Sequence, residues 1–496
     1  MLPMNLSLPL GVFAIVASKV LSFSTTVVQS NDLGPAGYGA YGLVVSTVSL
    51  FSIVGQGSMG AAASNLLARS AARNLDEAGR MLGAIGAVAV VLALAAAAAL
   101  AASASLLAGA VFRSATLIEP LRFAAVTLLV LASQSLLDGV LAGLHAFRAR
   151  NSLSIVQGAV FLLLALPLTP RFGVLGALVA YTGANLVAAS VAAFNVRRVF
   201  RERGLRIVVP ADPAIYREIF TFVAPMLANA VLMIGTNWFV TSALARSRHG
   251  LSDVGVFSAA TQARTAMIAL PFLLQATYGP LMAAAHGAER RRDYRANFVD
   301  CFRGTLLASL VPAAGVMLLS SEIMWIFGKG FADGSLVLAL SAALVVPVVI
   351  ANLFGIAIQA LELNRLTLMP NIVYSAICST LGAYACTHAG AVGLVVVMVG
   401  AQVVQMFLLM RLLARIEPSL HVARSTAVAL FLLAAMVVAL AALPGLAGAL
   451  AAAPLAVVCV LYGLANAPDA LIGRVERRLP ALVALRRFRV HAEVGS

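Results

Sequence analysis

Fourteen apolar stretches, each long enough to cross a bilayer as a helix, follow one another through this chain with only short connections between them. They cover roughly 10–30, 38–64, 81–107, 121–144, 152–170, 173–196, 216–243, 254–280, 303–327, 334–360, 369–388, 391–413, 424–443 and 447–467. A helix rises 1.5 Å per residue, so about 20 such residues span the hydrocarbon. The expected fold class is therefore an all-α polytopic membrane protein of about fourteen transmembrane helices. Charged residues make up 11% of the 496, well under the ~25% of a soluble domain. The first stretch is too long, and too soon followed by others, to be read as a cleaved signal peptide.

The net charge of +15 would ordinarily raise the question of nucleic acid, but its placement answers it. Of the 34 Lys and Arg residues, 26 lie in or at the edges of alternate connections and the C-terminal tail, and 5 lie on the other side. Such an asymmetry places both termini in the cytoplasm and requires an even number of spans. The basic stretch 197–215 reads as an amphipathic linker and the tail 471–496 as a basic cytoplasmic segment. Both suit an anionic lipid surface, and plain topology-fixing charge explains them equally well. The cysteines Cys301, Cys378, Cys386 and Cys459 lack metal-ligand spacing and read as packing residues.

A repeat is visible within the chain. Gly34 and Gly39 recur as Gly250 and Gly255, and Gly139 as Gly355, 216 positions on. Gly173 and Gly176, followed by Gly183, Ala184 and Asn185, recur 217 positions on as Gly390 and Gly393, then Gly400, Ala401 and Gln402. The expected organisation is an N-terminal six-helix lobe (1–196), the linker, a C-terminal six-helix lobe (216–415), an additional helix pair (416–470) and the tail. Six spans return the chain to its starting side, so both copies share one orientation, as in many alternating-access carriers, and a central cavity between them is expected.

Three basic residues fall inside apolar stretches: Lys19, Arg122 and Arg264. Lys19 is near mid-depth of the first span, where insertion costs about 2.5–3.5 kcal/mol. Its stem is too short to reach the interface, so it needs a wet cavity, an acid or an anionic ligand. Arg264 is also near mid-depth, and its guanidinium can grip phosphate oxygens. The two are the candidate anion-binding residues. Gln134 and Asp138 share a helix face at i,i+4. With Asn229, Asn237, Glu362 and Gln402 they are candidates for lining the cavity or for coupling. For the carboxylates an ion pair or a loop edge is an equal alternative, and for the amides helix-to-helix glue is. No Walker sequence, metal-binding cluster or nucleophile elbow is present, so no cofactor and no enzymatic activity are expected; coupling to protons or sodium is left open.

Lys19 with Val20, Leu21, Ser22 and Phe23, and then Leu33-Gly34-Pro35-Ala36-Gly37-Tyr38-Gly39-Ala40-Tyr41, resemble the polysaccharide transporter family. These are Wzx-like flippases of the multidrug/oligosaccharidyl-lipid/polysaccharide exporter superfamily. The run from Gly139 through Gly143, His145, Phe147, Arg148 and Arg150 to Asn151 is similar to its connection after the fourth helix. The resemblance covers about the first 415 residues. It implies two six-helix lobes and a bacterial inner-membrane flippase, which moves undecaprenyl-pyrophosphate-linked oligosaccharide between leaflets by alternating access. It also implies cationic residues in the cavity, a role for which Lys19 and Arg264 are the candidates. Anionic membrane lipids, and a polymerase and glycosyltransferases of the same pathway, are the implied partners. A lipid II flippase, a MATE-type cation-coupled drug exporter, a membrane-bound polymerase or ligase and a non-transporting scaffold are the alternatives. The short external connections argue against the polymerase or ligase.

Overall fold

The computed structural model describes residues 4–53, 58–144, 147–420, 422–443 and 446–466, with the side chains of 4–17, 19, 58, 71–73, 147–153, 225, 364 and 446 excepted. The described regular structure is helical. Fifteen α-helices follow in order: α1 (Met4–Ser52), α2 (Ser58–Arg73), α3 (Leu75–Leu106), α4 (Ile118–Gly143), α5 (Phe147–Arg203), α6 (Pro213–Leu244), α7 (Leu251–Gly287), α8 (Arg291–Leu318), α9 (Ser320–Ile326), α10 (Ser335–Ala343), α11 (Val345–Ala360), α12 (Leu368–Ile377), α13 (Ala383–Ile416), α14 (Ala423–Ala442) and α15 (Leu446–Ala465). Among the described residues, ten helical stretches are long and apolar enough to cross a membrane. Two of them, Ser154–Arg203 and Arg365–Ile416, are 50 and 52 residues long, over twice what one crossing needs. The chain is an all-α polytopic membrane protein.

The longest helices break at single glycines, where the sequence had suggested loops. α1 leaves helical geometry at Gly34 (φ 64°, ψ 178°), α5 at Gly173 (φ 56°, ψ −134°) and α13 at Gly390 (φ 55°, ψ −138°). The Leu33–Tyr41 connection is thus helical on both sides of one residue. A positive φ paired with a ψ near 180° or strongly negative is closed to residues with a Cβ, which is why glycine stands at these positions. Proline alone does not break a helix: Pro35 follows the Gly34 break, but Pro167 and Pro170 lie inside α5, and Pro271 and Pro280 inside α7.

The backbone repeats as the sequence does. Gly173 and Gly390 share one conformation, and Gly34 and Gly250 are both at positive φ. A Cβ on Gly176 would meet the carbonyl oxygen of Leu168, and one on Gly393 that of Ala385, again 217 positions on. Pro35 and Gly39 recur as Leu251 and Gly255, and here the contact is reciprocal. A Cβ on Gly39 would lie 1.8 Å from the Leu251 oxygen, and one on Gly255 1.9 Å from the Pro35 oxygen.

The chain divides into two compact units, Met1–Gly255 and Val256–Ser496. In the first, α2 packs on α3 and α4, and α1 on α5. Its core includes Met59, Leu66, Leu67, Ile85, Leu141 and Ile219, all buried. The 197–215 stretch has two parts. α5 continues to Arg203, and Gly204 then turns the chain into a non-helical segment that lies along the start of α3, with the Val208 amide donating to the Gly79 carbonyl (3.3 Å). Gly79 and Gly83 allow that approach, since a Cβ on either would lie about 2 Å from the Arg206 or Val208 oxygen.

In the second unit α8 packs against α10, α11 and α15. Phe298 stacks on both Phe302 and Phe354, and the Tyr294 hydroxyl donates to the Ala357 carbonyl (3.0 Å). α14 and α15 pair with each other, and α15 lays Ala452, Ala456 and Cys459 into this core. All four cysteines are free and buried. The basic tail expected at 471–496 lies outside the described residues.

Candidate functional site

Within the first unit, α2, α4 and α5 line an open cavity of about 470 Å³. α4 contributes Gln134, Ser135 and Asp138, α2 contributes Ser64, and the second arm of α5 contributes Tyr181 and Asn185. Polar side chains at this density inside an apolar helix bundle face a cavity because burial without partners is costly. Asp138 is five residues from the end of α4, about 8 Å along the helix from its terminus.

The helices meet at backbone distance beside it. A Cβ on Gly139 would lie 2.2 Å from the Gly60 carbonyl oxygen, and one on Gly60 2.6 Å from the Ser135 hydroxyl. Glycine pairs of this kind let membrane helices approach where side chains would hold them apart. Gly60 is thus a helix-packing glycine; 54–57, just before it, lie outside the described residues.

A relay of amides fixes one wall. Gln134 Nε2 donates to Gln157 Oε1 (3.2 Å), Gln157 Nε2 to Asn185 Oδ1 (2.9 Å), and Asn185 Nδ2 to the Tyr181 carbonyl (2.7 Å). It joins α4 to both arms of α5. The Tyr181 ring is held edge-on against Phe161, with centroids 5.6 Å apart. Gln134 acts as donor in the relay, so its carbonyl oxygen remains an acceptor.

The second unit carries a counterpart amide network. Gln402 Nε2 donates to Gln405 Oε1 and Gln405 Nε2 to Asn371 Oδ1, both at 2.6 Å, joining α13 to α12. Gln402 is the repeat mate of Asn185. A further pair ties α7 to α11: Asn352 Nδ2 donates to Gln275 Oε1 (2.6 Å), and Gln275 Nε2 to the Val349 carbonyl (2.8 Å).

Arg264 is on α7, and its Nη1 is buried with no hydrogen-bond partner among the described residues. Tyr374 on α12 is near enough to act on its charge. A guanidinium N–H shut away from water and left unpaired is costly, and an incoming anion would relieve that cost.

The other expected residues scatter. Gln134 and Asp138 line the cavity together. Asn229 and Asn237 are on α6, both exposed, and neither lines it. Glu362 is an exposed loop residue after α11, held at φ 62°. Gln402 is buried in its amide network. The Lys19 side chain lies outside the described residues. Sequence reasoning did not pick out Gln157, Tyr181 or Ser64. Asn185 carried one usable signal, its alignment with Gln402 in the repeat.

The sequence matches the family described as "polysaccharide biosynthesis protein" over residues 11–286, more than half the chain. No curated protein matches it. Among solved structures, it is similar to the lipid II flippase MurJ in an inward closed conformation, with 12% identity and a TM-score of 0.69, covering 95% of this chain and 99% of that one. It is also similar to an inward-facing multidrug resistance MATE family transporter of the MOP superfamily, with 16% identity and a TM-score of 0.67, covering 82% and 99%. At these identities the likeness is one of fold.

Proposed function

Since the chain belongs to the polysaccharide biosynthesis protein family, we propose that it is a flippase of the bacterial inner membrane that translocates undecaprenyl-pyrophosphate-linked oligosaccharide by alternating access. In this reading fourteen spans form two six-helix lobes, 1–196 and 216–415, with an additional helix pair and both termini in the cytoplasm. No covalent chemistry is involved. Bound cations lower the cost of carrying a pyrophosphate group through hydrocarbon, while the polyprenyl tail stays in lipid.

The observation that carries the proposal is the buried, unpartnered Arg264 Nη1 inside an apolar helix of a polysaccharide-biosynthesis protein. Arg264 grips the phosphate oxygens, and Lys19 is its expected companion on the first span. The test is flipping of labelled polyprenyl-pyrophosphate oligosaccharide in proteoliposomes. Arg264→Ala and Lys19→Ala should fold and lose most of the transport, and Arg264→Lys should restore part of it, keeping charge without the planar fork. Wild-type rates in both alanine variants remove these residues from the mechanism.

A second reading, a lipid II flippase, is favoured by the 95% of this chain that aligns with MurJ, against 82% with the multidrug transporter. Offering lipid II and a lipid-linked oligosaccharide to the same vesicles separates the two. Anionic lipids, a polymerase and glycosyltransferases of the pathway are the partners this function implies.

A further inference from the structure

Three connections of the first unit meet at one end of its helices. Residues 31–37, 107–117 and 245–250 follow the first, third and seventh apolar spans. All three therefore emerge on the side opposite the N-terminus, the outer side in the flippase reading. There α6, the first helix of the second repeat, is gripped by residues of the first. Leu107–Val111 end the α3 stretch in a single π-turn, where the Leu107 and Ala108 carbonyls accept from the Phe112 and Ser114 amides. The Ala110 and Val111 carbonyls accept from Arg246, from Nη2 at 2.7 Å and Nε at 2.8 Å. A cation on the last carbonyls of a helix is also favoured by the helix dipole. About 9 Å deeper along α6, Trp238 Nε1 donates to Thr47 Oγ1 (3.1 Å), and its ring lies edge-on to Phe112, with centroids 6.3 Å apart. Burial follows these contacts: Thr236, Val240, Thr241 and Leu244 are buried, whereas none of the described residues from 226 to 235 is.

The backbone closes the same end. Pro35 and Gly39 meet Leu251 and Gly255 in an isologous contact, each stretch touching the other through positions 216 apart. Such a contact lies on the local two-fold axis that relates 35–39 to 251–255. Where neither glycine has room for a Cβ, nothing passes between the two stretches. The polar grip is one-sided by contrast. Ser30 stands 216 positions before Arg246, buried, with its hydroxyl on the Val27 carbonyl (3.0 Å).

We propose that Arg246 and Trp238, with the Gly39–Gly255 crossing, are the outer latch of the transport cycle, holding the outer exit shut and parting when it opens. The latch rests on the flippase reading for its cycle, and on the contacts above for its residues. Its parts release without stranding buried polar groups. Arg246 is exposed, so water replaces it on the two carbonyls, and Thr47 keeps its own bond to the Leu43 carbonyl (2.8 Å).

The test is double electron–electron resonance on the full-length protein in nanodiscs, with nitroxides at Ala115→Cys and Arg248→Cys, exposed residues on the two sides of the seam. The four native cysteines, all buried, are replaced by alanine in this background. One short distance is expected at rest, joined by a longer one when lipid-linked oligosaccharide is added under flipping conditions. Arg246→Ala should raise the resting fraction of the longer distance about tenfold, the factor that loss of one charge-assisted hydrogen bond implies. Arg246→Lys should raise it less, since an ammonium still donates to a carbonyl. Gly255→Leu, a wedge in the crossing, should give the longer distance alone. A single unchanged distance while the same preparation flips substrate overturns the latch, even if every variant fails to fold. A resting distribution in Arg246→Ala equal to that of the parent also overturns it. No flipping by the parent, with the variants shifting as expected, removes the polysaccharide flippase and retains the latch for another cargo.

Discussion

Replacing Gln157 and Gln405 by leucine, singly and together, measures what each unit's amide network contributes. Gln157 makes two side-chain hydrogen bonds, at 3.2 and 2.9 Å, and is partly buried. Both partners, Gln134 and Asn185, line the cavity, so water can take over the bonds that leucine removes. Two such bonds, at the roughly 0.6 kcal/mol typical between membrane helices, give a cost of about 1 kcal/mol. Gln405 also makes two, both at 2.6 Å, but it and Gln402 are 5% and 6% exposed. Leucine there strands a buried Gln402 N–H beyond easy reach of water and removes the bond to Asn371, at about 2–3 kcal/mol. The two positions are in different units and share no partner, so the double variant should cost the sum within about 0.5 kcal/mol. Reversible unfolding in mixed micelles, followed by helical circular dichroism, gives all three values. Equal costs at the two sites, or a larger one for Gln157→Leu, would refute the argument that access to water separates them.

Gly139→Val places a side chain where a Cβ is already 2.2 Å from the Gly60 oxygen, so α2 and α4 must part. The expected loss is about 1–3 kcal/mol, seen as a lower thermal midpoint. Gly173→Ala and Gly390→Ala impose the same forbidden conformation at repeat-related sites and should each cost about 1–3 kcal/mol. Pro167→Ala, a few residues before Gly173, should be neutral or stabilising because helix continues through it. A Pro167→Ala loss as large as that of Gly173→Ala would mean that the break is not set by the glycine.

Hydropathy was enough to recognise a polytopic helical protein, because a bilayer admits few other solutions for so apolar a chain. The glycine repeat was legible too, and it has a physical cause: Gly173 and Gly390 hold a conformation that only glycine tolerates, so the constraint is written in residue type. The cavity was half legible. The i,i+4 spacing of Gln134 and Asp138 gave their common face, and both do line it. Asn229 and Asn237 were candidates beside them, and neither borders it. Helical period tells which residues share a face but not what that face meets. Gln157 carried no signal, since a lone amide in an apolar span reads the same whether it bonds across helices or faces a void. The breaks were legible as well: the boundaries expected at 30–38, 170–173 and 388–391 hold Gly34, Gly173 and Gly390, whereas Pro167 ends no helix, since a membrane helix can absorb a missing N–H but cannot continue through a positive φ.

The two units resemble each other in backbone and in their amide networks, and differ in what those networks border. In the first, the relay walls a cavity whose lining includes the carboxylate of Asp138. In the second, the corresponding amides are buried, and an arginine on α7 holds an unpaired N–H. An internal duplication begins with equal halves, and a ligand with two chemically unlike parts gives a reason for them to diverge. A lipid-linked glycan is such a ligand, with a dianionic pyrophosphate at one end and a sugar rich in hydroxyls at the other. One cavity serving both would have to keep a guanidinium and a carboxylate from pairing, at about 4 kcal/mol for close charges at a protein surface. The duplication instead carries the guanidinium in one repeat and the carboxylate in the other.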